Sequence, residues 1–330
     1  MINSKIISSR ELSEFGSLAN LNDQVFALLV QQKATWETAG KNFKALTQDQ
    51  TRDFEFGHFK IITQFNAERI RSSAAKTDVR SLSKRPCFLC LENLPEEQKG
   101  ILLQDKYLIL VNPFPIFSQH IVIDGLEHVS QQIQPYFNDL LEISANLPDF
   151  TVFYNGPKCG ASAPDHFHFQ AIGKGRLPVE QEFEILKEKQ AEVLVQTNHL
   201  KILAVEKYLR RFIAITSSDK NGVKEIFEKI YELLDLKNGE EPMMNVLCNF
   251  TRNEWRVIIF PREKQRPSHF YKENGEQIVV GPASVEMGGV LVLPRKKDFM
   301  KITVNDITEI YGEVTIGPEK FDNLKEHLKQ

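Results

Sequence analysis

Six consecutive residues, Asp165-His166-Phe167-His168-Phe169-Gln170, carry two imidazoles and a carboxamide on alternate positions. In an extended strand alternate side chains share a face, so His166, His168 and Gln170 are expected to point one way and Phe167 and Phe169 into a core. A neutral imidazole is a usable nucleophile toward phosphorus, because an unperturbed histidine titrates at about 6.5. His168 attacking an α-phosphate would form a covalent nucleotidyl-histidine and split one displacement into two, with a second acceptor finishing the reaction. Gln170, one step along the same face, can hydrogen-bond phosphoryl oxygens without supplying a proton. Ser162 and the backbone amides of the turn Gly160-Ala161-Ser162-Ala163-Pro164 are further donors for charge developing there. The plainer alternative is two histidines decorating an exposed strand. Three polar residues in register behind a glycine turn weigh against it.

Cys87-Phe88-Leu89-Cys90 is the second constellation. A Cys-x-x-Cys pair can hold two corners of a tetrahedral zinc, and histidine commonly supplies the others. His128 and His166 are the best-placed completions, with His120 as the substitute for His128. Zinc held there would fix the strand beside the nucleophile rather than break bonds. A redox pair would need a βαβ setting that the pattern lacks, which leaves zinc or two unbound reduced cysteines.

Phosphates need cationic partners, and arginine binds them bidentately. Basic residues cluster near strand ends: Arg69, Arg71 and Lys76, then Arg85, then Arg262, Lys264 and Arg266, then Arg295, Lys296 and Lys297. Arg69 and Arg262 follow apolar strands directly and are the preferred substrate contacts. Asn66 and Asn155 join them, Asn155 because it ends a strand just before the glycine turn.

These residues need a sheet to carry them. Residues 1–53 hold apolar positions at helical spacing and are expected to form a helical N-terminal extension. Apolar runs at 59–65, 107–111, 120–123 and 151–154 look like strands, with an amphipathic helix from about 129 to 146. The order strand, helix, strand then recurs, with a hairpin around Thr251-Arg252-Asn253-Glu254, a strand at 287–293 and helices from about Val304 and Pro318. The second half lacks His-x-His, so only one half would be reactive. The expected fold is α+β: residues 54–180 a catalytic half, and 181–330 a degenerate second half packed on it.

A hydrophobic fraction of 42% and a net charge of -3 describe a globular chain with no global attraction for nucleic acid or anionic membrane. No apolar run approaches the roughly 20 residues of a membrane span, and the first thirty residues lack the order of a signal peptide. With 4 cysteines in 330 residues a disulfide scaffold is excluded, and a cytoplasmic location is expected.

With these residues in hand, the chain resembles the histidine triad superfamily, in its nucleotidyltransferase and phosphorylase branch. That branch holds galactose-1-phosphate uridylyltransferase, diadenosine tetraphosphate phosphorylase and GDP-L-galactose phosphorylase. His166-Phe167-His168-Phe169-Gln170 is similar to the branch motif His-x-His-x-Gln, whose second histidine is the nucleophile. Hydrolases of the superfamily usually place a third histidine where this chain has Gln170, so the resemblance implies transfer rather than hydrolysis, with a nucleotide hydrolase and a non-catalytic zinc-stabilised nucleotide-binding protein as the alternatives. It also implies zinc on Cys87, Cys90, His128 and His166. Two histidine-triad-like halves are implied as well, acting on a nucleotide or nucleotide-sugar substrate with phosphate or a sugar phosphate as acceptor. Nucleic acid and membrane are not expected partners, and a homodimer is left open. The resemblance places a serine three residues before the first motif histidine, whereas Ser162 lies four before His166.

Overall fold

The computed structural model describes residues 2–46, 50–70, 79–82, 84–234, 241–273 and 275–330. Arg71 and Lys76 lie outside the described residues. Thirteen strands form among those described: β1 (Gln50–Phe56), β2 (Phe59–Phe65), β3 (Gly100–Leu103), β4 (Tyr107–Val111), β5 (His120–Gly125), β6 (Phe150–Asn155), β7 (His168–Gly173), β8 (Ala191–Gln196), β9 (Leu200–Val205), β10 (Phe212–Ser217), β11 (Met244–Thr251), β12 (Glu254–Pro261) and β13 (Val290–Leu293). Ten of them make one antiparallel sheet in the order β3-β4-β5-β7-β6-β11-β12-β10-β9-β8. Each half contributes five strands in the same internal order, and the two sets meet where β6 pairs with β11. In each set a helix, Phe137–Asn146 or Lys220–Leu233, connects the third and fourth strands. The second half thus repeats the topology of the first.

Aromatic and aliphatic residues on alternate strand positions sort onto the two faces of this sheet. One face packs under the two connecting helices, Leu21–Thr35 and Pro318–Leu328, in a core that includes Phe167, Phe169, Phe137 and Phe227. The other face packs against a three-stranded sheet, β1-β2-β13, in which β13 runs parallel to β2. The chain therefore has helices on one side of a ten-stranded sheet and a small mixed sheet on the other. The hairpin β11–β12 turns at Arg252 and Asn253, both with positive φ (53° and 64°), as a tight two-residue hairpin turn requires.

Several expected elements differ in detail. The N-terminal helices, at 9–13, 21–35 and 37–45, give way to β1 at Gln50, inside the expected extension. Ile6 bridges to Gly100, so the N-terminal segment covers the outer edge of β3. The helix expected from 129 begins only at Phe137, after a 3-10 turn at Gln134–Tyr136 that contains Pro135. The strand expected from Met287 is split into a short helix, Ser284–Met287, and β13, and β13 joins the small sheet. Strand β7 begins at His168, so His166 belongs to the preceding turn. Among the described residues no helix is long and apolar enough to cross a membrane.

Candidate active site and metal-binding cluster

His168 opens β7 on the face away from the connecting helices, while Phe167 and Phe169 pack into the helix-side core. Its side chain is buried, and its Nδ1 lies 2.9 Å from the His166 carbonyl oxygen. A carbonyl can only accept, so Nδ1 carries the hydrogen and Nε2 keeps its lone pair. Burial lowers the His168 pKa from 6.5 to about 4, against the opposing pull of that hydrogen bond. The ring is therefore neutral at pH 7, with the Nε2 lone pair available. The Gln131 amide holds its backbone, accepting from the His168 N–H (2.8 Å) and donating to the carbonyls of His168 (2.9 Å) and Asn155 (3.1 Å). This side chain acts as a rung between the ends of β6 and β7. Nothing in the sequence around Gln131 marked it.

Gln170 is oriented by His120, which is not a metal ligand here. The Ile116 N–H donates to His120 Nδ1 at 3.1 Å, so the neutral ring carries its hydrogen on Nε2 and donates to Gln170 Oε1 at 2.9 Å. Burial and the nearby Arg69 charge drive the His120 pKa down to about 3, which keeps this arrangement in place at neutral pH. With its oxygen engaged by His120, and by Asn112 Nδ2 at 3.4 Å, Gln170 has its NH2 left to donate. His168 and Gln170 line a cleft of about 640 Å³ together with Arg69, Asn155, Gly160 and Ser162.

Gly160 is required twice over. Its φ is +97°, and a Cβ there would lie 2.3 Å from Ala283 Cβ. The second half thus packs directly on the glycine turn, and Ala283, Val285 and Glu286 complete the cleft wall. Asn155 Oδ1 accepts from the Ser284 N–H (2.8 Å) and from Asn245 Nδ2 (3.0 Å), and Asn245 also donates to the Cys159 carbonyl. Arg262 sits behind this network. Its guanidinium donates to Asn245 Oδ1 and to the carbonyls of Val314, Pro282 and Lys264, and it is absent from the cleft lining. Asn66 likewise donates to the Pro115 carbonyl at 3.0 Å and does not line the cleft, so both expected contacts brace the site instead. Lys264, Arg266, Arg295, Lys296 and Lys297 also fall outside the lining. Arg69 does line it, with Nη1 on the Phe114 carbonyl.

Cys87, Cys90, His128 and His166 come together, one ligand atom from each lying within 4.8 Å of every other. His166 Nδ1 is 3.4 Å from Cys87 Sγ and 3.6 Å from Cys90 Sγ, and His128 Nδ1 is 3.2 Å from Cys90 Sγ. His166 Nε2 donates to the Gly125 carbonyl at 2.7 Å, with Asp124 Oδ1 at 3.2 Å, which leaves Nδ1 free to ligate. This cluster could bind a metal, and two thiolates with two imidazoles is a donor set that suits tetrahedral coordination.

Two family models match the chain in succession. Residues 28–173 match a domain of unknown function (DUF4922), and residues 184–330 match the GDPGP1-like, C-terminal domain. The crystal structure of yeast Ap4A phosphorylase Apa2 superposes with a TM-score of 0.55 at 15% identity, covering 85% of this chain and 96% of that one. The same enzyme in complex with Ap4A gives 0.53 at 15% identity, covering 86% and 97%. This is the fold of the histidine triad-like nucleotidyltransferases and phosphorylases. Its complex with AMP also superposes, with a TM-score of 0.53 at 14% identity over 83% of this chain and 92% of that one. No curated protein sequence matches the chain.

Proposed function

We propose that the chain is a nucleotidyltransferase or phosphorylase that cleaves a nucleoside-diphosphate sugar or a dinucleoside polyphosphate through a nucleotidyl-His168 intermediate. The observation that carries this reading is the hydrogen bond from His168 Nδ1 to the His166 carbonyl, which leaves a neutral Nε2 in a cleft beside an oriented carboxamide. As Nε2 bonds to the α-phosphorus, the ring becomes cationic and the His166 carbonyl stabilises the N–H it already accepts. The bond to the bridging oxygen breaks, and the leaving phosphate ester departs as an anion. Phosphate is a good leaving group without a proton, so no general acid is needed at position 170. Gln170 and the amides of the Gly160 turn hold the phosphoryl oxygens. In the second displacement an oxygen of inorganic phosphate or a sugar phosphate attacks the same phosphorus and Nε2 departs neutral. No proton crosses His168 in either step.

The folds matched belong to an enzyme whose crystals hold AMP and Ap4A, which supports a nucleotide substrate. Incubation with GDP-, UDP- and ADP-sugars and dinucleoside polyphosphates, followed by intact mass, tests the reading. A nucleotidyl adduct that disappears in His168→Asn is expected; no adduct and no turnover on any donor would overturn it. For the four-ligand cluster we propose zinc in a structural role, holding the Cys87–Cys90 segment against the turn that carries His166. Elemental analysis of protein purified without chelator should find one zinc per chain.

A further inference from the structure

Two residues before Cys87, Arg85 lines the cleft that Gly160, Ser162 and His168 also line. Its Nη2 donates to Asp165 Oδ1 at 3.0 Å and to the Ser162 carbonyl at 3.4 Å, and its guanidinium lies 5.1 Å from the Phe88 ring centroid. Nη1 is buried and, among the described residues, has no hydrogen-bond partner. A guanidinium fixed at one nitrogen and unsatisfied at the other is a preformed half of a bidentate anion site. We propose that Arg85 binds the phosphate that leaves and the phosphate that enters, separately from the α-phosphate contacts of Gln170 and the glycine turn. This rests on the nucleotidyl-His168 reading.

The chemistry asks for such a group. In each in-line displacement the departing or arriving oxygen lies opposite His168 Nε2, so the leaving phosphate and the acceptor phosphate occupy one position in turn. Water in that position gains little from a cation; an inorganic phosphate dianion gains a charge-assisted bond. In the acceptor step an oxygen of HPO4 bonds to the α-phosphorus, the phosphorus–Nε2 bond breaks, and nucleoside diphosphate leaves with the acceptor's hydrogen. Arg85 thereby sets the partition between phosphorolysis and hydrolysis.

The test loads the His168 adduct on wild type, Arg85→Met and Arg85→Lys, removes the donor, and chases with inorganic phosphate while nucleoside diphosphate and monophosphate are quantified. Arg85→Met should raise the phosphate concentration for half-maximal diphosphate release by roughly 10- to 100-fold, Arg85→Lys by less, with loss of adduct to water unchanged. An unchanged phosphate dependence, or a hydrolytic rate falling in parallel, would overturn the proposal. Circular dichroism establishes folding, and Arg85→Lys carries the test if the methionine variant is unfolded. Should wild type form no adduct, the parent reading fails, and titration of inorganic phosphate followed by phosphorus NMR still decides the role of Arg85. Weaker binding in the variant supports the site; equal binding, or none by wild type, removes it.

Discussion

At the level of single residues, the charge state of His168 has a measurable consequence. Its lowered pKa, about 4 against 6.5, means the reactive neutral form persists well below the usual histidine range. Single-turnover adduct formation should be flat between pH 8 and pH 6 and fall only toward pH 4, provided the donor's own ionisation is controlled. A midpoint near 6.5 would show that burial does not govern the ring. His120 acts one bond further back. Replacing it by alanine releases Gln170 Oε1 and lets the carboxamide turn over, and adduct formation should slow roughly 10- to 100-fold. Because His120 works through Gln170, the double variant His120→Ala/Gln170→Ala should be no slower than Gln170→Ala alone. Additive losses would mean that His120 has a separate task. His168 and Gln170 were legible because two-residue alternation survives the move from sequence to sheet. Arg262 was misjudged: its place after an apolar strand suggested a ligand contact, but the carbonyls around it consume its donors.

At the level of elements, the glycine turn depends on the other half of the chain. Gly160→Ala adds a Cβ at positive φ against Ala283 and should cost about 2–5 kcal/mol in urea unfolding. Gly175 has φ +77° but none of the described residues within 4 Å of its added Cβ, so Gly175→Ala should cost only about 1–2 kcal/mol. Equal losses at the two positions would show that the Ala283 contact is unimportant. Most strands were readable from apolar runs bounded by turns, and the hairpin β11–β12 from its spacing. What escaped were features set by distant partners. The 129–133 segment has a helix-compatible pattern, yet Gln131 is drawn out to bond His168 and Asn155. The strand near 290 reads correctly by composition, but no local pattern reveals that it leaves the large sheet and pairs with β2.

For the whole molecule, the Cys87–Cys90–His128–His166 cluster brings the segment before β3 against the turn before β7, with strands β4 and β5 between them in the sheet. His166 joins the cluster through its ring and holds His168 through its carbonyl, so on the proposed reading removal of the zinc should disturb stability and chemistry together. Exhaustive chelation is expected to lower the thermal midpoint by roughly 10 °C or more and to slow adduct formation, with zinc restoring both. Loss of zinc without change in either would detach the cluster from the site. The parallel pairing of β13 with β2 has a further consequence in time. During synthesis β2 emerges more than two hundred residues before β13, with the Ala283 wall of the cleft just ahead of β13. The first five-stranded set, which carries His168, is thus made before its second wall. The order of synthesis therefore separates the strand that carries the histidine from the wall that closes the cleft over it.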